Sequence, residues 1–258
     1  MTNLYGVEGI RLIEDYRDDH LGAEIWALGL GWSLDDYPNN FFDDKITIAL
    51  DAAFLAFPNC TYFFSAHSDP VDFVIEKDPE VLKKFILCLL PSYQGYDELW
   101  PTKYGNVPIW IRVNRVAHTP VPEIITSCKK EAVEIIEKRS VIYTPCWSSI
   151  NIAIIAAIVL GAKKVTMVGC STLPAKDHSH ALRAGISKKF YPQELGHISS
   201  QEALEGKIPI QRIWRKGTCL VAELFKPYGI EIRKYYYKTG YEEIEPLSNF
   251  NDLVVWPP

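Results

Sequence analysis

The sequence predicts an α/β protein built on a doubly wound, mostly parallel sheet. Three observations lead there. From Glu24 onward, short apolar runs alternate with stretches of helical spacing, punctuated by Gly, Pro, Asp and Ser. One of those stretches, Ile150 to Leu160, is apolar on nearly every face, interrupted only by Asn151, and too short for a membrane, so it belongs inside a core. The chain has 258 residues, 48% hydrophobic and 23% charged, which suits one large packed domain. No repeat, low-complexity tract or linker divides residues 1–258, so a single α/β domain is expected.

Taken in order, Glu24 to Leu28 (EIWAL) is the first expected strand, ending in Gly29-Leu30-Gly31-Trp32-Ser33. Lys45 to Leu50 (KITIAL) is the second, with Asp51 at its end and an Ala- and Phe-rich helix after it. Cys60 to Ser65 (CTYFFS) is the third and closes on a turn, His67-Ser68-Asp69-Pro70. Asp78-Pro79-Glu80 reads as a helix start, an acidic cap followed by proline at the first helical position. Val107 to Val113 and Val141 to Tyr143 are further strands, with a helix from about Pro122 to Lys138 between them. Ser148 and Ser149 can cap the apolar helix, Gly161 fits its left-handed end, and Lys164 to Cys170 (KVTMVGC) reads as a buried strand. A helical stripe then includes Ile210, Ile213, Trp214, Leu220, Val221, Leu224 and Phe225; Pro227 and Gly229 stop it, and Ile230 to Tyr236 is the last expected strand.

Charge and composition narrow the function classes. A net charge of −5 argues against a nucleic-acid partner, because phosphate binding needs an excess of Lys and Arg. The acidic start, with Glu8, Glu14, Asp15, Asp18 and Asp19, does not read as a signal or transit peptide, and no apolar run approaches the length of a transmembrane segment. Six cysteines lie far apart without a C-x-x-C pair, so reduced thiols and a soluble, cytoplasmic protein are expected. Self-association into a homo-oligomer is compatible with all of this.

In a doubly wound sheet, ligands bind beyond the carboxyl ends of the strands. Gly29, Gly31 and Ser33 come directly after the first strand, where glycines let backbone N–H groups approach a phosphate or sugar; a tight turn without a ligand is the alternative. Asp51 and Asp69 stand at strand ends. They suit hydrogen bonds from a ribose or base, or a divalent cation such as Mg2+; a helix cap and a turn residue before proline are the plainer roles. Thr144, Ser148 and Ser149 put hydroxyls at the start of the buried helix, a natural anion site.

Residues 176–216 hold eight Lys or Arg and four acids, a net of +4 in a chain whose remainder carries −9. Such a segment suits a lid, expected over 171–216, with Arg212 and Arg215 offsetting ligand charge; a solvated surface is the alternative. His178, His180 and His197 lie within it, and one of them is a candidate general base. No G-x-S-x-G elbow exists, and Cys146 has no histidine near it in sequence, so serine or cysteine nucleophiles are not favoured.

The turn Gly29-Leu30-Gly31-Trp32-Ser33-Leu34, Asp51 at the next strand end, the Ser-rich helix start and A-A-I-V-L-G-A-K-K-V-T-M-V-G over 156–169 together resemble one Rossmann-like superfamily. It contains bacterial cell-surface sialyltransferases and 6-hydroxymethylpterin pyrophosphokinase-like proteins. The resemblance covers Ala27 to Leu34, Ile48 to Ala52 and Ser148 to Cys170. It implies a nucleotide or nucleotide-sugar pocket formed by 29–34, Asp51, Asp69 and Ser148–Ser149, and a histidine base on the lid. No obligatory cofactor is implied. This chain departs from the pattern at Trp32, where proline is usual, and at Gly169-Cys170-Ser171, where Gly-x-Asp is usual. The expected function is a transferase with a nucleotide-activated donor, a sialyltransferase-like glycosyltransferase with a CMP-sugar before an ATP-dependent pyrophosphokinase. A binding protein that kept the pocket and lost the chemistry is the alternative from another class.

Overall fold

A computed structural model describes residues 11–65, 68–83, 85–89, 108–111, 114–115, 129–130, 132–137, 143–144, 148–170 and 215–250. Eleven strands occur among them: β1 Arg11–Leu12, β2 Glu24–Leu28, β3 Ile46–Leu50, β4 Tyr62–Ser65, β5 Phe85–Leu89, β6 Pro108–Ile111, β7 Asn114–Arg115, β8 Tyr143–Thr144, β9 Lys164–Val168, β10 Glu231–Tyr236 and β11 Gly240–Glu243. Nine of them form one sheet in the order β1-β6-β5-β4-β3-β2-β9-β10-β11, and β7 and β8 pair separately. Every neighbour in the large sheet is parallel except β10 and β11. The fold is a Rossmann-like α/β sheet, as the alternating pattern predicts.

Both faces are buried because successive side chains point opposite ways. Ile25, Ala27, Ile48, Leu50, Val165 and Met167 share one core with the helix Ser149–Val159 and with Val221 and Phe225 of helix 215–225. Trp26, Leu28, Ala49, Phe63 and Val168 face the other core, under Leu34 of the 3-10 segment Trp32–Asp36, the helix Ala53–Ala56 and the helix Ser68–Lys77. The helix Ser149–Val159 is buried from Asn151 to its end, which accounts for its lack of a polar face. Each of its fully buried isoleucines contributes about 1.5–3 kcal/mol by leaving water, so this central helix anchors the first core. Gly161 takes φ +98 just beyond it, the left-handed stop that its position predicts.

Four expectations are corrected. The turn at 67–70 is a helix start: Ser68, Asp69 and Pro70 form the first turn of Ser68–Lys77, where proline's missing N–H costs nothing; His67 lies outside the described residues. Asp78 does cap, receiving the Glu80 N–H on Oδ1 at 3.0 Å, but the element it starts is only the 3-10 segment Pro79–Lys83. The chain then enters β5, because Phe85–Leu89 is an apolar five-residue run that β4 and β6 enclose, and such a run fits a buried strand as well as a helix. Finally, β10 is not the last strand. Gly240 at φ +84 turns the chain back into β11, whose Tyr-Glu-Glu sequence has no apolar alternation to announce it. The expected helix 122–138 is described, and helical, only at 129–130 and 132–136.

Candidate functional site at the carboxyl edge

The strand order reverses between β2 and β9. From β2 the chain steps through β3, β4, β5 and β6 in one direction, whereas from β9 it steps to β10 in the other. Connections of one hand therefore carry the two succeeding segments to opposite faces and open a crevice at the carboxyl ends of β2 and β9.

The glycines meet there. The Gly29 N–H donates to the Val168 carbonyl at 2.8 Å and the Gly31 N–H to the Gly169 carbonyl at 2.5 Å, so the two turns are joined backbone to backbone. A Cβ on Gly29 would lie 2.5 Å from the Gly169 carbonyl oxygen, and one on Gly169, itself at φ +60, would lie 2.6 Å from the Gly29 oxygen. Close approach of the two backbone turns is thus one reason for these glycines. Gly31 has ordinary extended dihedrals, φ −63 and ψ 152, and precedes Trp32–Asp36. Ser33 is buried beside it.

One strand over, Asp51 is held in the left-handed region at φ +47, which a non-glycine residue adopts at a cost of about 1–3 kcal/mol. Its N–H donates to the Phe64 carbonyl at 2.7 Å, and the fully buried Ser65 hydroxyl donates to its carboxylate at 2.6 Å. Asp51 is not a helix cap, because the residue in the cap position of Ala53–Ala56 is Ala52. Ser65 was not singled out from the sequence; its place as the last residue of an apolar strand is the signal that marks it.

The central helix begins at the same edge. Ser148 is extended, φ −145 and ψ 128, and its carbonyl accepts the N–H groups of Asn151 and Ile152 at 3.0 and 3.3 Å, but its hydroxyl makes no capping bond. Ser148 and Ser149 are half-buried. Below them the buried Thr218 hydroxyl donates to Asn151 Oδ1 at 2.8 Å, tying helix 215–225 to the central helix. The N-terminus of the central helix at Ser148 and Ser149 is a region of positive potential. Arg215 gives Nε and Nη2 to Glu245 Oε1 at 2.9 and 2.5 Å, an ion pair the sequence did not suggest.

Of the other candidates, Asp69 has its backbone in the first turn of Ser68–Lys77, after β4, and Thr144 has its backbone in β8; neither side chain lies within the described parts. His178, His180, His197, Arg212 and the rest of 171–214 lie outside the described residues. Among the described residues no group of three His, Cys, Asp or Glu could hold a metal ion, and no helix is long and apolar enough to cross a membrane. Cys170, beside the crevice, bonds the Val168 carbonyl through Sγ at 3.3 Å, and burial pushes its thiol up to about 12. It is a neutral thiol at pH 7 rather than a nucleophile.

No family model and no curated protein matches the chain. Solved structures do. Over 92% of its length the chain is similar to the sialyltransferase CstII from Campylobacter jejuni in complex with cytidine-5'-monophosphate, at 12% identity and TM-score 0.47, covering 86% of that chain. It is similar over 92% to the monofunctional alpha-2,3-sialyltransferase Cst-I from Campylobacter jejuni, at 14% identity and TM-score 0.46, covering 89% of that chain.

Proposed function

We propose that the protein is a glycosyltransferase that moves a sugar from a CMP-activated donor to an acceptor hydroxyl. The observation that carries this reading is Asp51, kept in a costly left-handed conformation and fixed by Ser65 at a strand end beside the switch point. A strained, preorganised carboxylate at that place suits the hydroxyls of a nucleoside or sugar. The start of the central helix at Ser148 and Ser149 offers the donor phosphate amide and hydroxyl donors in a positive field. Asp69, Thr144, Arg212 and Arg215 are assigned to the same ligand, with Arg215, held in helix 215–225, exchanging Glu245 for phosphate.

In the transfer step the acceptor oxygen bonds to the anomeric carbon of the sugar as the bond from that carbon to the phosphate oxygen breaks. CMP leaves with the bonding pair, and the acceptor proton passes to a base. His178, His180 or His197 supplies that base; the single described histidine, His20, stands at the opposite edge of the sheet. The helix N-terminus offsets charge on the departing phosphate, so no metal is required for the step, and Mg2+ would act only as an added counter-ion.

One feature favours a second reading, binding without turnover: Gly169-Cys170-Ser171 offers no carboxylate, and Cys170 stays protonated. A thermal-shift and turnover screen with CMP, UDP, GDP, ADP and ATP, with and without Mg2+, separates the two. CMP stabilisation with CMP-sugar hydrolysis, lost about 10²–10⁴-fold in one of His178→Ala, His180→Ala or His197→Ala, agrees with transfer. Binding without hydrolysis decides for the second reading, and ATP-dependent stabilisation alone would favour pyrophosphoryl transfer.

A further inference from the structure

Among the described residues only three large apolar side chains are exposed, and two of them, Tyr237 at 44% and Tyr241 at 51%, stand together on the β10–β11 hairpin. They are the outer members of a continuous aromatic shelf. Tyr241 lies opposite Tyr235 in the hairpin register, with ring centroids 4.8 Å apart, and Tyr237 packs on Tyr37 and Phe41 at 5.7 and 5.6 Å. Phe41 in turn stacks on Tyr235 at 5.8 Å and meets Trp26 edge-on at 5.9 Å. On this face of β10, Tyr37 and Phe41 pack directly on Tyr235, and Tyr237 and Tyr241 remain exposed.

The rim of the shelf carries both signs. The Arg233 guanidinium lies over one face of the Tyr241 ring, 3.6 Å from its centroid, and pairs with Glu24 and Glu231; Lys45 lies over the Phe41 ring, 4.6 Å from its centroid; Lys238 pairs with Asp36 beside Tyr237. A surface of tyrosines rather than leucines, ringed by balanced charge, does not fit a phosphate, an acidic peptide or an acyl chain. It fits a neutral, polyhydroxylated ring, whose C–H face lies on the aromatics while its hydroxyls reach the charged rim. The shelf also adjoins the crevice: the Tyr37 hydroxyl donates to the Tyr235 carbonyl, and Tyr37 shares one core with Leu34 and Val168.

We infer that Tyr237 and Tyr241 form a stacking platform for a pyranose ring of the acceptor glycan. This rests on the glycosyltransferase reading for the word acceptor, but the platform itself does not.

The probe is lactose, observed by saturation-transfer NMR on the full chain, with CMP titrated separately. Wild-type protein should transfer saturation to lactose, and Tyr237→Ala with Tyr241→Ala should weaken lactose binding about tenfold while CMP affinity is unchanged. Tyr237→Phe with Tyr241→Phe should keep most of the binding, since the ring faces remain. No transfer to lactose, or equal affinity in the alanine variant, overturns the platform. Lactose binding without any CMP binding would keep the platform and overturn the transferase reading instead. Co-sedimentation of wild type, but not of the alanine variant, with phosphatidylcholine vesicles would assign the shelf to a membrane surface and also overturn it.

Discussion

The two edges of the parallel sheet use similar parts for opposite ends. At the amino edge the loop 18–22 closes the C-terminus of the central helix. Asp18, His20 and Gly22 donate their N–H groups to the carbonyls of Val159, Leu160 and Gly161 at 3.2, 2.8 and 2.9 Å. The left-handed residues there, Asp18, Gly22 and Gly161, let two strips of backbone meet, and the helix end is saturated. At the carboxyl edge Gly29 and Gly169 also join two turns, yet Asp51 holds its strain beside them and the Ser148 hydroxyl leaves its helix uncapped. At one edge backbone N–H groups satisfy the helix-end carbonyls, whereas at the other the Ser148 hydroxyl makes no capping bond. Left-handed residues serve packing at the amino edge, and on the proposed function Asp51 serves recognition at the carboxyl edge.

The largest effect expected lies in the helix that joins the two edges. Ile154 is fully buried in it, so Ile154→Ala should cost about 2–5 kcal/mol, read as a lower midpoint in urea unfolding. A loss below about 1 kcal/mol would mean that the helix is not the anchor. Next, Gly161→Ala places a Cβ 2.9 Å from the Leu21 backbone at φ +98; it should destabilise by about 1–3 kcal/mol and leave CMP affinity unchanged in the folded fraction. Asp51→Gly should differ: relief of the positive φ offsets about 1 kcal/mol of the cost of removing the acceptor of the buried Ser65 hydroxyl, so stability changes little while CMP affinity falls about tenfold or more. Equal behaviour of these two variants would erase the contrast between the edges.

The smallest effect is a pH dependence at the amino edge. His20 Nε2 and the Tyr62 hydroxyl share a hydrogen bond of 2.7 Å, and burial lowers the His20 pKa from 6.5, against a raising influence of Asp19. The unfolded chain therefore binds a proton before the folded one does. The stability from neutral His20 is present above pH 6.5 and declines as pH falls from 6.5 toward the lowered folded value. Unfolding midpoints should drop over that window in wild type and drop less in His20→Gln; identical profiles would remove His20 from the account.

Much of this architecture was legible in the residues. EIWAL, ITIAL and KVTMV become parallel strands, the run after Ser148 becomes the buried helix, Gly161 and Gly229 stop their helices in left-handed conformation, and Asp51 lies at a strand end. What failed did so for physical reasons. FILCL is too short and too uniformly apolar to show a period, and β11 is a polar edge strand set by its hairpin turn rather than by burial. The partner of Gly29 is Gly169, far along the chain, and the bond from Ser65 to Asp51 crosses from β4 to the end of β3; neither leaves a local signature.

The proposed ligand site lies at the carboxyl edge and not at the other. Amide hydrogen exchange measured with and without CMP tests it most directly, because both edges are read in one experiment. Exchange should slow on adding CMP at 29–33, 51 and 148–151, with 18–22 and 159–162 unchanged. Protection confined to 18–22 and 159–162, or no change at either edge at saturating CMP, would contradict it.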